Sequence, residues 1–158
     1  MSVGRPIGVF DVTSQCPLRC RHCYYYSNVS RIPPDLDDEL FLKRLQQKRD
    51  EYGIRSAFWI GGEPFLRPNL LRRAMALFRR NAVATSGALA IPTDLDAGLL
   101  ISIDGPKDTH DALRGEGAFD TAMQHIKGLP ERSFALSTTL TTFSVDAIDA
   151  LPGLVAST

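Results

Sequence analysis

CPLRCRHC, residues 16–23, is the segment that most constrains the fold, and it directly follows a predicted strand, IGVFDV at residues 7–12. It contains Cys16, Cys20 and Cys23, which are the three cysteines of the chain. Three thiols on one short loop cannot form a fully paired set of disulfides, because one would be left over. They can instead converge on one metal centre.

An iron–sulfur cluster is one such centre. A cluster of four irons normally takes four thiolates, so three cysteines would leave one iron with an open position for chemistry. The alternative is a structural zinc site with His22 as the fourth ligand. His22 is adjacent to Cys23, however, and structural zinc sites usually draw their ligands from two separated loops. We therefore favour a reactive cluster over a zinc-stabilised binding module.

The composition is ordinary for a soluble globular protein. The chain has 158 residues, which fits one domain with a sizeable core, and 44% of them are hydrophobic. Eighteen Lys and Arg balance eighteen Asp and Glu, so the charge favours neither nucleic acid nor a membrane surface as a partner. No apolar run approaches the roughly 20 residues of a membrane span. Residues 1–6 lack the apolar core of a signal peptide, and the clustered free cysteines predict a reducing cytoplasm.

Hydrophobic patterning predicts strands that alternate with helices. A long loop is expected after the fourth strand, through His110 and Arg114. The residues after Cys23 are expected to continue the loop that carries the cysteines. Strands are predicted at 7–12, 54–60, 82–85, 99–105 and 134–141. Helices are predicted at 35–52, from Pro68 onward and at 118–127. A short last helix is predicted to begin at a Ser144 cap and to end near Pro152-Gly153.

This alternation implies parallel strands joined by right-handed crossovers. A closed barrel of eight units uses about 31 residues per unit, so this chain has room for about five. The predicted fold class is α/β: one domain over residues 1–158, forming a partial, open βα barrel of parallel strands. The site of such a fold lies at the C-terminal ends of the strands.

Chemically suggestive residues follow the second and fourth predicted strands. Two glycines, Gly61 and Gly62, would let a ligand approach the backbone closely, and the carboxylate of Glu63 could hold an ammonium group. Ser102 and Asp104 offer a hydroxyl and a carboxylate that suit a ribose. The simpler alternatives are a tight turn with a solvated glutamate and an ordinary Asp-Gly turn. In the following loop, Arg114 could pair with a ligand carboxylate through two parallel hydrogen bonds.

Taken together and in this order, these motifs resemble the radical S-adenosylmethionine superfamily. The cysteine motif follows the first strand, Gly61–Pro64 follows the second, and Ser102–Pro106 follows the fourth. Together with His110-Asp111 and Arg114-Gly115, the last motif looks like the branch that contains peptide-modifying and cofactor-building maturases. The resemblance runs from about Ile7 to Thr142.

The resemblance implies a role for each matching residue. In that family the three cysteines bind a 4Fe-4S cluster, and its open iron chelates the amino and carboxylate groups of S-adenosylmethionine. The implied contacts to the methionine amino group are Gly62 and Glu63, and Gly61 belongs to the same motif. Ser102 and Asp104 are implied to contact the ribose. His22 stands where relatives carry an aromatic residue near the adenine.

The implied activity is enzymatic. One electron cleaves the sulfonium to a 5′-deoxyadenosyl radical, which abstracts hydrogen from a peptide or a small biosynthetic precursor. The implied partners are that substrate, an electron donor such as a flavodoxin or ferredoxin, and a chain that covers the open edge of the barrel.

Three departures from the family keep an alternative open. A sixth strand is not expected in this chain, and neither is a C-terminal domain with auxiliary clusters, since no further cysteine is present. In addition, Thr85-Ser86-Gly87 stands where relatives often carry Thr-Asn-Gly. The alternative is a truncated, non-catalytic domain that binds the cluster and S-adenosylmethionine without turnover. A zinc-stabilised module ranks third.

Overall fold

The computed structural model describes residues 6–129 and 134–156. Five parallel strands form one sheet, in which their order is the same as their order in the sequence. The strands are β1 Ile7–Asp11, β2 Ser56–Ile60, β3 Arg80–Thr85, β4 Gly98–Ser102 and β5 Phe134–Ser137. This confirms the predicted α/β fold, a partial and open βα barrel. Within the described ranges, β1 and β5 each pair with a single neighbour.

Helices fill the connections between the strands. No helix within 6–129 and 134–156 is long and apolar enough to cross a membrane. The helices are α1 Tyr24–Asn28, α2 Asp38–Tyr52, α3 Pro68–Met75, α4 Lys107–Arg114, α5 Ala118–Lys127 and α6 Leu151–Ala156, with 3₁₀ turns at Pro64–Leu66 and Val145–Ala150.

The two faces of the sheet differ in their surroundings. On one face Trp59 and Val83 are fully buried in a core that also holds Leu71 of α3. On the other face, which we call the open face, Ile7 and Val9 of β1 are 67% and 58% exposed. Because side chains alternate along a strand, the open face carries every second residue of each strand up to its C-terminal end.

The start of α2 differs from the prediction. The helix begins at Asp38 because the carboxylate of Asp37 caps it, accepting from the amides of Glu39 and Leu40. Asp35 is used elsewhere: its carboxylate accepts from the Thr13 hydroxyl at 2.7 Å.

Two predicted loops are helical. Residues 107–114 form α4, which Pro106 precedes and which buries His110 and Arg114 on one face, since residues four apart share a helix face. Residues 24–28 form α1, because the carbonyl of Cys23 accepts from the Ser27 amide one turn later.

The last strands and the C-terminal helix also differ from the prediction. β4 ends at Ser102 and β5 at Ser137. One further backbone hydrogen bond joins the two segments, from the Ile103 amide to the Ser137 carbonyl at 2.9 Å, and beyond it side chains make the contacts. The Thr138 hydroxyl, for example, donates to the Ile103 carbonyl. Helix α6 continues through Pro152, which lies in its first turn, where a missing N–H costs nothing.

Candidate active site

A cavity of about 460 Å³ opens at the C-terminal edge of the sheet. It lies between the ends of β1 to β4, the end of α4 and the segment 16–23, which we call the cysteine loop. Glu63 and Asp104 do not line it but lie fully buried behind its wall. The predicted site residues that line it are Cys16, Cys20, His22, Cys23, Gly61, Gly62, Ser102 and Arg114.

The two glycines after β2 allow the backbone of the chain itself to approach. The Gly62 amide donates to the Thr13 carbonyl at 2.7 Å. A Cβ on Gly62 would lie 2.1 Å from the carbonyl oxygen of Gln15, and one on Gly61 would lie 2.4 Å from that of Thr13. Gly61 also has a φ of 147°, a conformation that other residues rarely adopt. The glycines therefore seat the start of the cysteine loop on the end of β2.

Gly62→Ala is expected to destabilise the fold by about 2 kcal/mol or more, because the added methyl group collides with rigid backbone. Thermal unfolding monitored by circular dichroism measures the effect. Gly98→Ala is the matched control, since its Cβ would meet nothing within 4 Å. Equal melting temperatures for the two variants would contradict the close packing at Gly62.

The other end of the cysteine loop is also anchored. The amide of Arg21 donates to the carbonyl of Leu113 in α4 at 2.8 Å. Within the loop, the guanidinium of Arg19 donates to the Cys16 carbonyl at 2.6 Å, and the amide of Cys23 donates to the Cys20 carbonyl at 3.0 Å. Backbone contacts to β2 and α4 thus fix the positions of all three cysteines.

The three thiols are free and half-buried. Burial raises the pKa of Cys16 above its ordinary value, and the nearby Glu63 carboxylate and the other two cysteines raise it further. Burial also raises the pKa of Cys20, although the Arg114 guanidinium opposes this shift. Burial therefore favours the neutral thiols of Cys16 and Cys20, and a bound cationic metal centre would stabilise their thiolates.

The zinc alternative finds no support in this geometry. A single zinc ion needs its ligand atoms about 2.0–2.3 Å from one point. No group of three or more His, Cys, Asp or Glu side chains in the described part of the chain is arranged to hold one metal ion. A 4Fe-4S cluster binds each cysteine through a different iron, so it does not require the sulfurs to meet at one point.

Glu63 is a structural link between β2 and β3. Its side chain is fully buried. The carboxylate accepts from the Thr85 hydroxyl at 2.8 Å, and from the Ser86 amide and hydroxyl at 2.9 and 2.6 Å. The Phe65 amide donates to it as well, at 3.3 Å. These donors satisfy the carboxylate, and the two hydroxyl side chains of Thr85 and Ser86 therefore have a structural role at this position.

Asp104 and Arg114 form a buried ion pair. The Arg114 guanidinium donates to both carboxylate oxygens, at 2.6 and 3.2 Å, and the Thr139 amide donates at 3.0 Å. Burial alone would raise the pKa of Asp104, but Arg114 outweighs it and holds that pKa below its usual value. Arg114 was predicted to pair with a ligand carboxylate, but in the structure its two parallel hydrogen bonds go to Asp104 of the chain itself.

His22 connects this ion pair to the cysteine loop. Its Nε2 lies 3.6 Å from a carboxylate oxygen of Asp104. Burial lowers the pKa of His22, although the Asp104 carboxylate opposes the shift. His22 thus stands between the loop and the buried carboxylate, and one side of its ring faces the cavity.

His110, which belongs to the His110-Asp111 motif, has a structural role that was not predicted from the sequence. It is fully buried, its Nδ1 accepts from the Asp104 amide at 3.1 Å, and burial lowers its pKa to about 4. Its neutral ring therefore holds the backbone at Asp104. The spacing of four between His110 and Arg114 was the available signal, because it places both on one face of a helix.

Comparison with known proteins follows the same features. The profile of the Radical SAM superfamily matches residues 10–150. A pre-heme d1 synthase of Dinoroseobacter shibae is 31% identical in an alignment of 142 positions that covers 81% of this chain and 34% of the relative. The mycofactocin maturase MftC of Mycobacterium tuberculosis is 30% identical in a gapped alignment of 164 positions that covers 93% of this chain and 41% of the relative. The chain thus spans between a third and a half of the length of these relatives.

Two solved structures share the fold. anSMEcpe with bound AdoMet superimposes with a TM-score of 0.76 and 19% identity, over 96% of this chain and 49% of that one. Streptococcus suis SuiB bound to precursor peptide SuiA gives a TM-score of 0.72 and 16% identity, over 97% and 37%. With the profile match over most of its length, the chain belongs to the radical SAM superfamily.

Proposed function

We propose that this chain is the core of a radical S-adenosylmethionine enzyme that abstracts hydrogen from a peptide or a small biosynthetic precursor. The observation that carries the proposal is that the cysteine loop, Gly62 and Ser102 line one cavity at the carboxyl ends of the strands. The superfamily uses a 4Fe-4S cluster and S-adenosylmethionine, which together supply a 5′-deoxyadenosyl radical when bound. Cys16, Cys20 and Cys23 would hold the cluster.

The side of the cavity formed by β2 and β4 offers groups for the second cofactor. In the described part of the chain, no donor takes the Gly62 carbonyl oxygen, which can accept from the methionine ammonium. The hydroxyl of Ser102 is likewise without a protein partner and can bond to the ribose. Because Glu63 and Asp104 are already satisfied, we propose that they position this wall and the cysteine loop. A flavodoxin- or ferredoxin-like protein is the proposed electron donor.

Anaerobic reconstitution tests the activity. After iron and sulfide are added, the chain is expected to convert S-adenosylmethionine to 5′-deoxyadenosine and methionine when dithionite is present, because the residues that line the cavity would hold both cofactors. Chromatography measures the product, and a reaction without dithionite is the control. A cluster without product would support the non-catalytic alternative, and stoichiometric zinc without charge-transfer absorbance would contradict both.

A further inference from the structure

Asp11 brings into the cavity a carboxylate that none of the roles above uses. It is the last residue of β1, and it lines the cavity together with Cys16 and Ser102. It lies on the open face of the sheet, two residues after the exposed Val9. The side chain of Asp11 is itself exposed, so a molecule in the cavity can reach it.

In the part of the chain that the structure describes, no cationic group pairs with this carboxylate. Across residues 6–129 and 134–156, the Asp11 side chain has no hydrogen bond and no ion pair. Glu63 and Asp104, by contrast, are satisfied by several donors each. The arginine that lines the cavity, Arg114, is committed to Asp104. Because Asp104 already neutralises Arg114, the Asp11 carboxylate leaves this part of the cavity negatively charged, so that it attracts cations and repels anions.

The surroundings of Asp11 are apolar on the side of the sheet. Ile60 is its register partner on β2 and lines the cavity, and so does Ala84 on β3. A carboxylate at the rim of an apolar wall suits a group with an aliphatic stem and a charged end, since the stem packs while the charge stays at the rim.

We propose that Asp11 selects the substrate by binding a cationic group on an aliphatic chain, as a lysine or arginine side chain of a peptide carries it. This inference rests on the proposed function and narrows its substrate to a cationic peptide. A precursor that presents carboxylates to the cavity is then disfavoured.

Two peptides of equal length test it: acetyl-Ala-Lys-Ala-amide and acetyl-Ala-Glu-Ala-amide. Calorimetry on the reconstituted full chain with S-adenosylmethionine and no reductant measures the binding of each. The lysine peptide should bind about fivefold more tightly, which is the upper end of the range for a partly exposed ion pair. Asp11→Asn should reduce this preference below about twofold, and Asp11→Glu should restore it. Asp96→Asn is the control for net charge, because Asp96 is exposed in the loop that leads into β4, away from the cavity.

Equal binding of the two peptides, binding of neither, or a preference that survives Asp11→Asn would overturn the inference. The proposed function is judged separately by 5′-deoxyadenosine. A lysine preference that depends on Asp11, in a chain that forms no 5′-deoxyadenosine, would uphold this inference and reject the proposed function. Formation of 5′-deoxyadenosine without the lysine preference would support the proposed function and reject this inference.

Discussion

Cys20→Ala is expected to abolish cluster binding, and iron per reconstituted chain should fall from about four to near zero. The loop holds three sulfurs and already leaves one iron open, so two sulfurs are too few for a stable cluster. Burial raises the pKa of the remaining Cys16, which makes an incomplete site still less able to form thiolates. Iron and sulfide analysis after gel filtration, together with visible absorbance, measures the loss.

Pro17→Ala is the matched control for this loss. Pro17 is an exposed residue of the same loop and brings no ligand atom, so this variant should keep its full iron content. Cys20→Ser should resemble Cys20→Ala, because a hydroxyl is a poor substitute for a thiolate. A full 4Fe-4S complement in Cys20→Ala would show that the ligand assignment is wrong.

Arg114→Leu is expected to lower the free energy of unfolding by about 3–5 kcal/mol at pH 7, because it leaves the Asp104 carboxylate buried without its cation. Asp104 is 1% exposed, so water cannot replace the guanidinium. Chemical denaturation followed by tryptophan fluorescence measures the change, since Trp59 is buried in the core. Asp104→Asn combined with Arg114→Leu should recover part of the loss, because the double variant buries no unpaired charge.

The loss in Arg114→Leu should depend on pH. In the natural chain the pKa of Asp104 is lowered, so its contribution is fully present above about pH 4 and disappears as the pH falls through the folded value. Without Arg114, burial raises that pKa, and the variant then loses stability as the pH rises. The difference between the two chains should therefore narrow from pH 7 to pH 4.5.

The surface pair of Arg72 and Asp94 provides the comparison. Its side chains are 41% and 70% exposed, so Arg72→Leu should cost less than about 1 kcal/mol. If Arg114→Leu also lost less than about 1 kcal/mol of unfolding free energy, the proposed contribution of the buried ion pair would be wrong. It would also be wrong if the difference in stability between Arg114→Leu and the natural chain did not change with pH.

The periodicity of the sequence was sufficient for the sheet but not for all of its connections. All five predicted strands occur, and α5 has the predicted bounds of Ala118–Lys127, since its buried residues repeat at helical spacing. Helix α4 was missed because its buried face carries His110 and Arg114, polar residues that do not register as a hydrophobic stripe. Their burial depends on Asp104, which lies outside the helix.

Motifs predicted which residues meet at the cavity but not which way each side chain turns. The cysteines, Gly62 and Ser102 line it as expected for residues at strand ends. Glu63 turns away because Thr85 and Ser86 lie on the neighbouring strand end, a contact that only the order of strands in the sheet creates. Local spacing carries no information about such a neighbour.

The anchors of the cysteine loop impose an order of events on biosynthesis. The loop is made early, yet Arg21 binds Leu113 and His22 faces Asp104, residues that leave the ribosome much later. At about 5–20 residues per second, translation from Cys23 to Arg114 takes on the order of 5 to 20 seconds. During that interval three reactive thiols lie on an unsupported segment. The cell would therefore have to keep them reduced until the second half of the sheet is complete and metal can enter a fixed site.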